Sequence, residues 1–274
     1  MSDSQETDLP NFSNPPIVET VLSIQFERLA AMRSVHFGLF WRRVQSQFPN
    51  TEERPPLDPI VEQAVRPIPR AVQVRFEAVE TLRLPRFWLL NTAGTEMIQI
   101  QNDRFIKNWR KHNTDEEYPR YEKVIKPAFE RDVREFIAFI EEEKLGGISV
   151  TQCEVTYVNH IVAGEGWDNW GDIAEIFTFW KQPPGLHYPG RVEDFVFHAQ
   201  FPILGPTNEW IGRLHVEVQP AHRIADGKPM YAMNLTARGM LGKDYDFFDI
   251  GRRAVVKSFE HLTTKNMHRV WGKK

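Results

Sequence analysis

The sequence predicts an α+β protein: a duplicated strand–helix–antiparallel strands–long helix unit forming a curved sheet, with helices on the convex face. Three observations carry this expectation. Short segments of period-two hydrophobicity recur about every ten residues, the rhythm of an antiparallel meander. Two long segments repeat their apolar residues at i, i+3 or i+4, as amphipathic helices do. The same order of elements occurs twice, with little residue identity between the copies. The expected division of the 274 residues is a mobile acidic tail over 1–13, a first repeat over 14–147 and a second over 148–274.

The elements follow in order. Asn14-Pro15-Pro16 punctuates the tail, because proline cannot extend a helix there. Leu22, Ile24 and Phe26 alternate with Ser23, Gln25 and Glu27, giving a half-buried strand. Val35, Phe37, Phe40, Val44 and Phe48 recur at helical spacing after Ser34, the expected N-cap. Residues 50–70 are rich in proline and charge and read as an irregular connection. Strands are expected around Val72–Phe76, Phe87–Leu90, Ile98–Ile100 and Phe105–Trp109. Tyr121 to Leu145 is the first long helix, stopped by Gly146-Gly147. Val155, Tyr157, Asn159 and Ile161 restart the strand pattern, and Asp168 to Trp180 reads as a helix. Strands around Phe195–Phe201, Leu214–Val218 and Tyr231–Leu235 follow, with a turn at Ala225-Asp226-Gly227-Lys228-Pro229. Phe247 to Trp271 is helical, with a break and a new N-cap at Thr263-Thr264.

Composition narrows the function classes. Hydrophobic residues are 41% and charged residues 26%, which excludes wholesale disorder. Lys+Arg of 34 against Asp+Glu of 37 gives a net charge of -3, so bulk charge does not drive nucleic-acid coating. The start Met1-Ser2-Asp3-Ser4 is not a signal peptide, and no apolar run is long enough to span a membrane. The lone Cys153 fits a cytoplasmic protein and excludes a disulfide framework.

The element order resembles the TATA-binding-protein-like fold. Several stretches also resemble a sporadically distributed, uncharacterised bacterial protein family. They are Asn14-Pro15-Pro16-Ile17-Val18-Glu19-Thr20-Val21-Leu22, Arg104 to Arg110, Tyr118-Pro119-Arg120-Tyr121 and Cys153 to Asn159. Phe259 to Thr263 and Met267 to Gly272 complete the set, which spans nearly the whole chain. The resemblance implies an accessory gene, in a mobile-element or phage-defence setting. It implies no catalytic residue and no cofactor.

Each candidate site has a plain structural reading beside the functional one. His215-x-Glu217, with His198 on a neighbouring strand, imitates a two-histidine, one-carboxylate set, but no His-Glu-x-x-His run supports a metal. Gly239 to Asp244 echoes part of a phosphate loop, with the wrong spacing and no Ser/Thr after the lysine. Cys153 opens an apolar strand and reads as a buried structural thiol. Arg104, Lys107, Asn108, Trp109 and Arg110, followed by Tyr121, interleave cations with aromatics, a pattern suited to stacking on bases or to core packing. Arg252 and Arg253 begin a basic C-terminal segment that suits an anionic partner or pairing within the chain.

The concave face is expected to be mostly polar. Gln25, Gln73, Arg75, Gln99, Gln101, His198, Gln200, Arg213, His215, Glu217, Asn234, Thr236 and Arg238 should point outward. Amides with modest charge suit a peptide or polar ligand better than a duplex, which needs dense cations. The leading expectation is a non-enzymatic cytoplasmic recognition module without cofactor or metal, compatible with a homodimer. One alternative is RNA or single-stranded DNA binding through residues 104–121. The other is an enzyme using His198, His215, Glu217 and Arg238.

Overall fold

The computed structural model describes residues 9–64, 84–112, 116–181, 192, 194–242 and 246–274. Among them are nine strands in one antiparallel open sheet, and five helices. The strands are β1 (Ile17–Phe26), β2 (Asn50–Arg54), β3 (Arg86–Leu90), β4 (Glu96–Gln101), β5 (Arg104–Arg110), β6 (Val150–Val162), β7 (Phe197–Leu204), β8 (Trp210–His222) and β9 (Pro229–Gly239). Their spatial order is β2-β3-β4-β5-β1-β6-β9-β8-β7. The central pair β1 and β6 runs antiparallel, with Leu22 opposite Val155 and Gln25 opposite Gln152.

Alternation sorts the side chains. Leu22, Ile24, Phe105, Val155 and Ala237 point to one face and are buried there. The helices cover that face: α1 (Ser34–Val44), α2 (Lys126–Glu142), α3 (Ile173–Ile176), α4 (Phe247–Leu262) and α5 (Lys265–Val270). Phe136 of α2 packs its ring against Phe26, Phe40 and Phe105, with centroids 5.2–6.0 Å apart. Gly212 and Gly239 pair directly in β8 and β9. A Cβ on Gly239 would stand 2.2 Å from the Phe247 ring, so this glycine admits α4 onto the sheet. Its place in the sequence motif is thus explained by close packing.

Several expectations need correction. The cap of α1 is Arg33, whose backbone N–H donates to Nδ1 of His36 at 2.8 Å; Ser34 is the first helical residue. The long central helix opens with a π-helical turn, Tyr121–Ile125. It is stopped before the glycine pair by Lys144, in left-handed conformation with φ 56°. Leu145 N–H then donates back to the Ile140 carbonyl at 3.0 Å. The expected helix over 168–180 shrinks to Ile173–Ile176. Trp170 instead packs against Trp167 and Tyr231, and Phe177 turns extended to bridge Thr263. Tertiary contacts there override the helical spacing. The final helix breaks where expected: the Thr264 hydroxyl accepts from Met267 N–H at 3.3 Å.

Residues 9–13, expected to belong to the tail, are docked. Phe12 is buried against Phe259, His268 and Trp271. Ser13 N–H donates to the Gly272 carbonyl at 3.0 Å. The expected strand over 72–76, with Gln73 and Arg75, lies outside the described residues. Residues 50–54, expected to be irregular, form edge strand β2 against β3. No helix among the described residues is long and apolar enough to cross a membrane.

Candidate functional site

The second face of the sheet is polar, and it is not open. The chain leaves β2 at Arg54 and passes over this face through residues 57–63. Polar side chains from successive strands hold the backbone of this strap. From β4, Gln101 accepts from Leu57 N–H at 2.7 Å and donates to the Leu57 carbonyl at 3.2 Å. From β5, Arg104 donates to the Asp58 carbonyl at 2.9 Å. From β1, Gln25 accepts from Ile60 N–H at 3.1 Å. From β6, Gln152 donates to the Ile60 carbonyl at 2.6 Å and accepts from Glu62 N–H at 2.8 Å. From β8, Arg213 donates to the Gln63 carbonyl at 3.0 Å.

The geometry requires an extended strap. From β4 to β8 the sheet advances five strand spacings, roughly 24 Å. Six residue steps of extended chain reach roughly 20–22 Å. Side-chain length closes the remainder. Pro55, Pro56 and Pro59 favour this conformation and need no N–H partner of their own.

Two strap side chains add charge: Asp58 acts on Arg104, and Glu62 is bound directly. The Glu62 carboxylate lies 2.5 Å from His215 Nε2 and 3.7 Å from Arg213 Nη1. Burial pushes its pKa up, but the His215 hydrogen bond and the charges of His215, Arg213 and Arg238 prevail and lower it. Beside them, Arg238 donates to Glu154 at 2.5 Å, and Arg104 also donates to Gln25 at 2.6 Å. The strap therefore sits on a row holding Arg104, Arg213, Arg238 and His215, with Asp103 and Glu154 as carboxylates beside them.

This corrects the expectation of an exposed face. Gln25, Gln99, Gln101, Arg213 and Thr236 are buried, because chain covers them or neighbouring side chains bind them. His198 and Glu217 remain exposed, 3.9 Å apart on adjacent strands. His215 turns away from Glu217 to Glu62. Among the described residues, no group of three or more His, Cys, Asp or Glu side chains could hold a metal.

The stretch 104–110 splits between the two faces. Arg104, Asn108 and Arg110 point to the polar face. Asn108 accepts from Gln99 at 2.8 Å and donates to Glu19 at 2.6 Å, while Arg110 donates to the Gly94 carbonyl at 3.3 Å. Lys107 and Trp109 point to the helices. Lys107 pairs with buried Asp132 and with Glu96, both at 2.7 Å, and Trp109 packs edge-on against Tyr118. Lys107 and Trp109 share the helix face, where Lys107 also lies 4.5 Å from the Phe48 ring, so both are engaged in packing within the chain. Tyr121 is buried and donates its hydroxyl to the Phe248 carbonyl at 3.0 Å. Arg252 stacks over the Tyr121 ring at 4.7 Å and pairs with Glu122; Arg253 lies half-buried on α4. Cys153 is fully buried, and burial pushes its thiol up to about 12.

Sequence reasoning missed Glu62, Gln152 and the strap itself. The signal was present as Pro55-Pro56-Leu57-Asp58-Pro59-Ile60, an extended run with apolar residues inside a polar connection. No family model, no curated protein and no solved structure matches this chain.

Proposed function

We propose that the protein is a recognition module whose polar sheet face binds an extended, acidic polypeptide, and that residues 57–63 hold that place in cis. The observation that carries this reading is the mode of contact: side chains of Gln25, Gln101, Gln152, Arg104 and Arg213 bind main-chain N–H and C=O groups of an extended segment. Main-chain contacts of this kind do not depend on the ligand's sequence, so another extended chain can make them. Glu62 supplies the specific element. Its displacement would remove the carboxylate that His215 and Arg213 face, which favours a partner with a carboxylate at that place.

The fold reading belongs to the same proposal. The chain is an internal duplication, curved so that the polar face is concave. In support, β1 and β6 each open a unit, pair with each other, and pair on their outer side with the last strand of their own unit, β5 or β9. Each unit closes with a long helix, α2 or α4.

The test uses the full chain with Glu62→Ala to loosen the strap. A fluorescently labelled peptide of residues 55–64 should bind this variant in trans, and bind the unaltered chain more weakly. Adding Arg213→Ala should reduce the affinity about tenfold, the loss of one charged hydrogen bond. No binding to the loosened variant would refute the proposal. Tighter, steeply salt-dependent binding of a labelled single-stranded RNA would favour nucleic acid instead.

A further inference from the structure

A separate cavity lies on the helix-covered side, between α4, the π-helical turn and the docked N-terminal segment. Its volume of about 320 Å³ falls within the range of small-molecule sites, roughly 300–1,000 Å³. Ile17, Leu235, Val255 and Phe259 supply apolar wall. Tyr118, Tyr157 and Asn159 also line it, and their hydrogen bonds do not close.

The two phenol oxygens are 2.9 Å apart. Two hydroxyls carry two protons, and only one can lie between them. Among the described residues the second proton has no acceptor. Asn159 is 2% exposed. Its Nδ2 donates to the Met233 carbonyl at 3.1 Å, which fixes the amide orientation. Among the described residues nothing donates to its Oδ1. The cavity thus presents one donor and one acceptor with no partner among the described residues, which point to a ligand that carries both.

The head of that ligand is neutral. Burial raises both tyrosines, so both stay protonated near neutral pH. Arg120, Lys123 and Arg252 are the cations lining the cavity. Arg252 pairs with Glu122 and stacks on Tyr121, and Arg120 donates to Asn11 Oδ1 and the Phe12 carbonyl. A carboxylate could meet these cations, but it has no proton for Asn159.

We propose that this cavity binds a small neutral molecule with an apolar body and an amide-type head, its C=O taking the phenol proton and its N–H donating to Asn159 Oδ1. The site is independent of the polar face and its strap.

The test is a calorimetric titration of the full chain with hexanamide and with hexanoate. Hexanamide should bind saturably in the millimolar range, and more tightly than hexanoate. Asn159→Leu should weaken hexanamide about tenfold. The double change Tyr118→Phe with Tyr157→Phe should do the same; either single change leaves one free phenol proton. Val256→Phe, a partly exposed position on the wall, should block binding without disturbing the core. Absence of saturable hexanamide binding would mean that water alone fills the cavity and would overturn the proposal. Equal or tighter hexanoate binding, or indifference to all three variants, would overturn it too.

Discussion

The two faces of the sheet are closed in different ways. The helix face is closed by burial, with Phe26, Phe40, Phe105 and Phe136 meeting ring to ring. That contact is non-directional and scales with area. The polar face is closed by directional bonds from side chains to the backbone of residues 57–63. Each such bond nets only about 0.5–1.5 kcal/mol, because water competes for both partners. The first closure is integral to the fold. The proposed function requires that the second be exchangeable for another chain.

The comparison can be broken at its strongest point. Phe136→Ala should cost about 3–5 kcal/mol in chemical denaturation, as a buried ring leaves a cavity. Arg213→Ala should cost about 1–3 kcal/mol, with the loss concentrated in strap docking. Equal global destabilisation by both would erase the distinction between the faces.

Acidity sharpens it. The folded pKa of Glu62 lies below the ordinary 4.5. Its contribution is therefore complete above pH 4.5 and is lost as pH falls through the lower folded value. Strap release should rise below pH 4.5, read by hydrogen exchange at Ile60 and Glu62. On the helix side, burial depresses buried His268 below the ordinary 6.5. Its contribution is complete above pH 6.5 and declines below it, by at most about 1.4 kcal/mol per pH unit. Between pH 6.5 and 5.5, denaturation should therefore show a loss that His268→Gln reduces.

The smallest effect concerns the helix end alone. Lys144→Gly should stabilise the chain by about 0.5–1 kcal/mol, because glycine accepts the left-handed φ of 56° without strain. The midpoint of urea denaturation reports it.

The helix face was legible in the sequence because its signal is periodic. Leu22, Ile24 and Phe26 announce β1, and Val155, Tyr157 and Ile161 announce β6, by alternation alone. Local rhythm misled where tertiary contacts compete: Trp170 and Phe177 sit at helical spacing, yet each is taken by aromatic packing or a bridge to Thr263. The polar face was legible in residue type but not in exposure. Gln25, Gln101 and Arg213 were recognisable as members of one surface. Nothing in their own strands reveals that residues 57–63, distant in sequence from Gln152 and Arg213, cover them. Asn159 is a subtler case. A single amide among inward-facing Val155, Tyr157 and Ile161 marks a polar cavity only once α4 is in place.

Native-state hydrogen exchange on the strap amides tests the central claim most directly. The account predicts that Leu57, Ile60 and Glu62 exchange through a local opening, at a free energy well below that of the β1 and β6 amides, while the sheet stays intact. Exchange of the strap only through global unfolding, at the same free energy as β1 and β6, would contradict it.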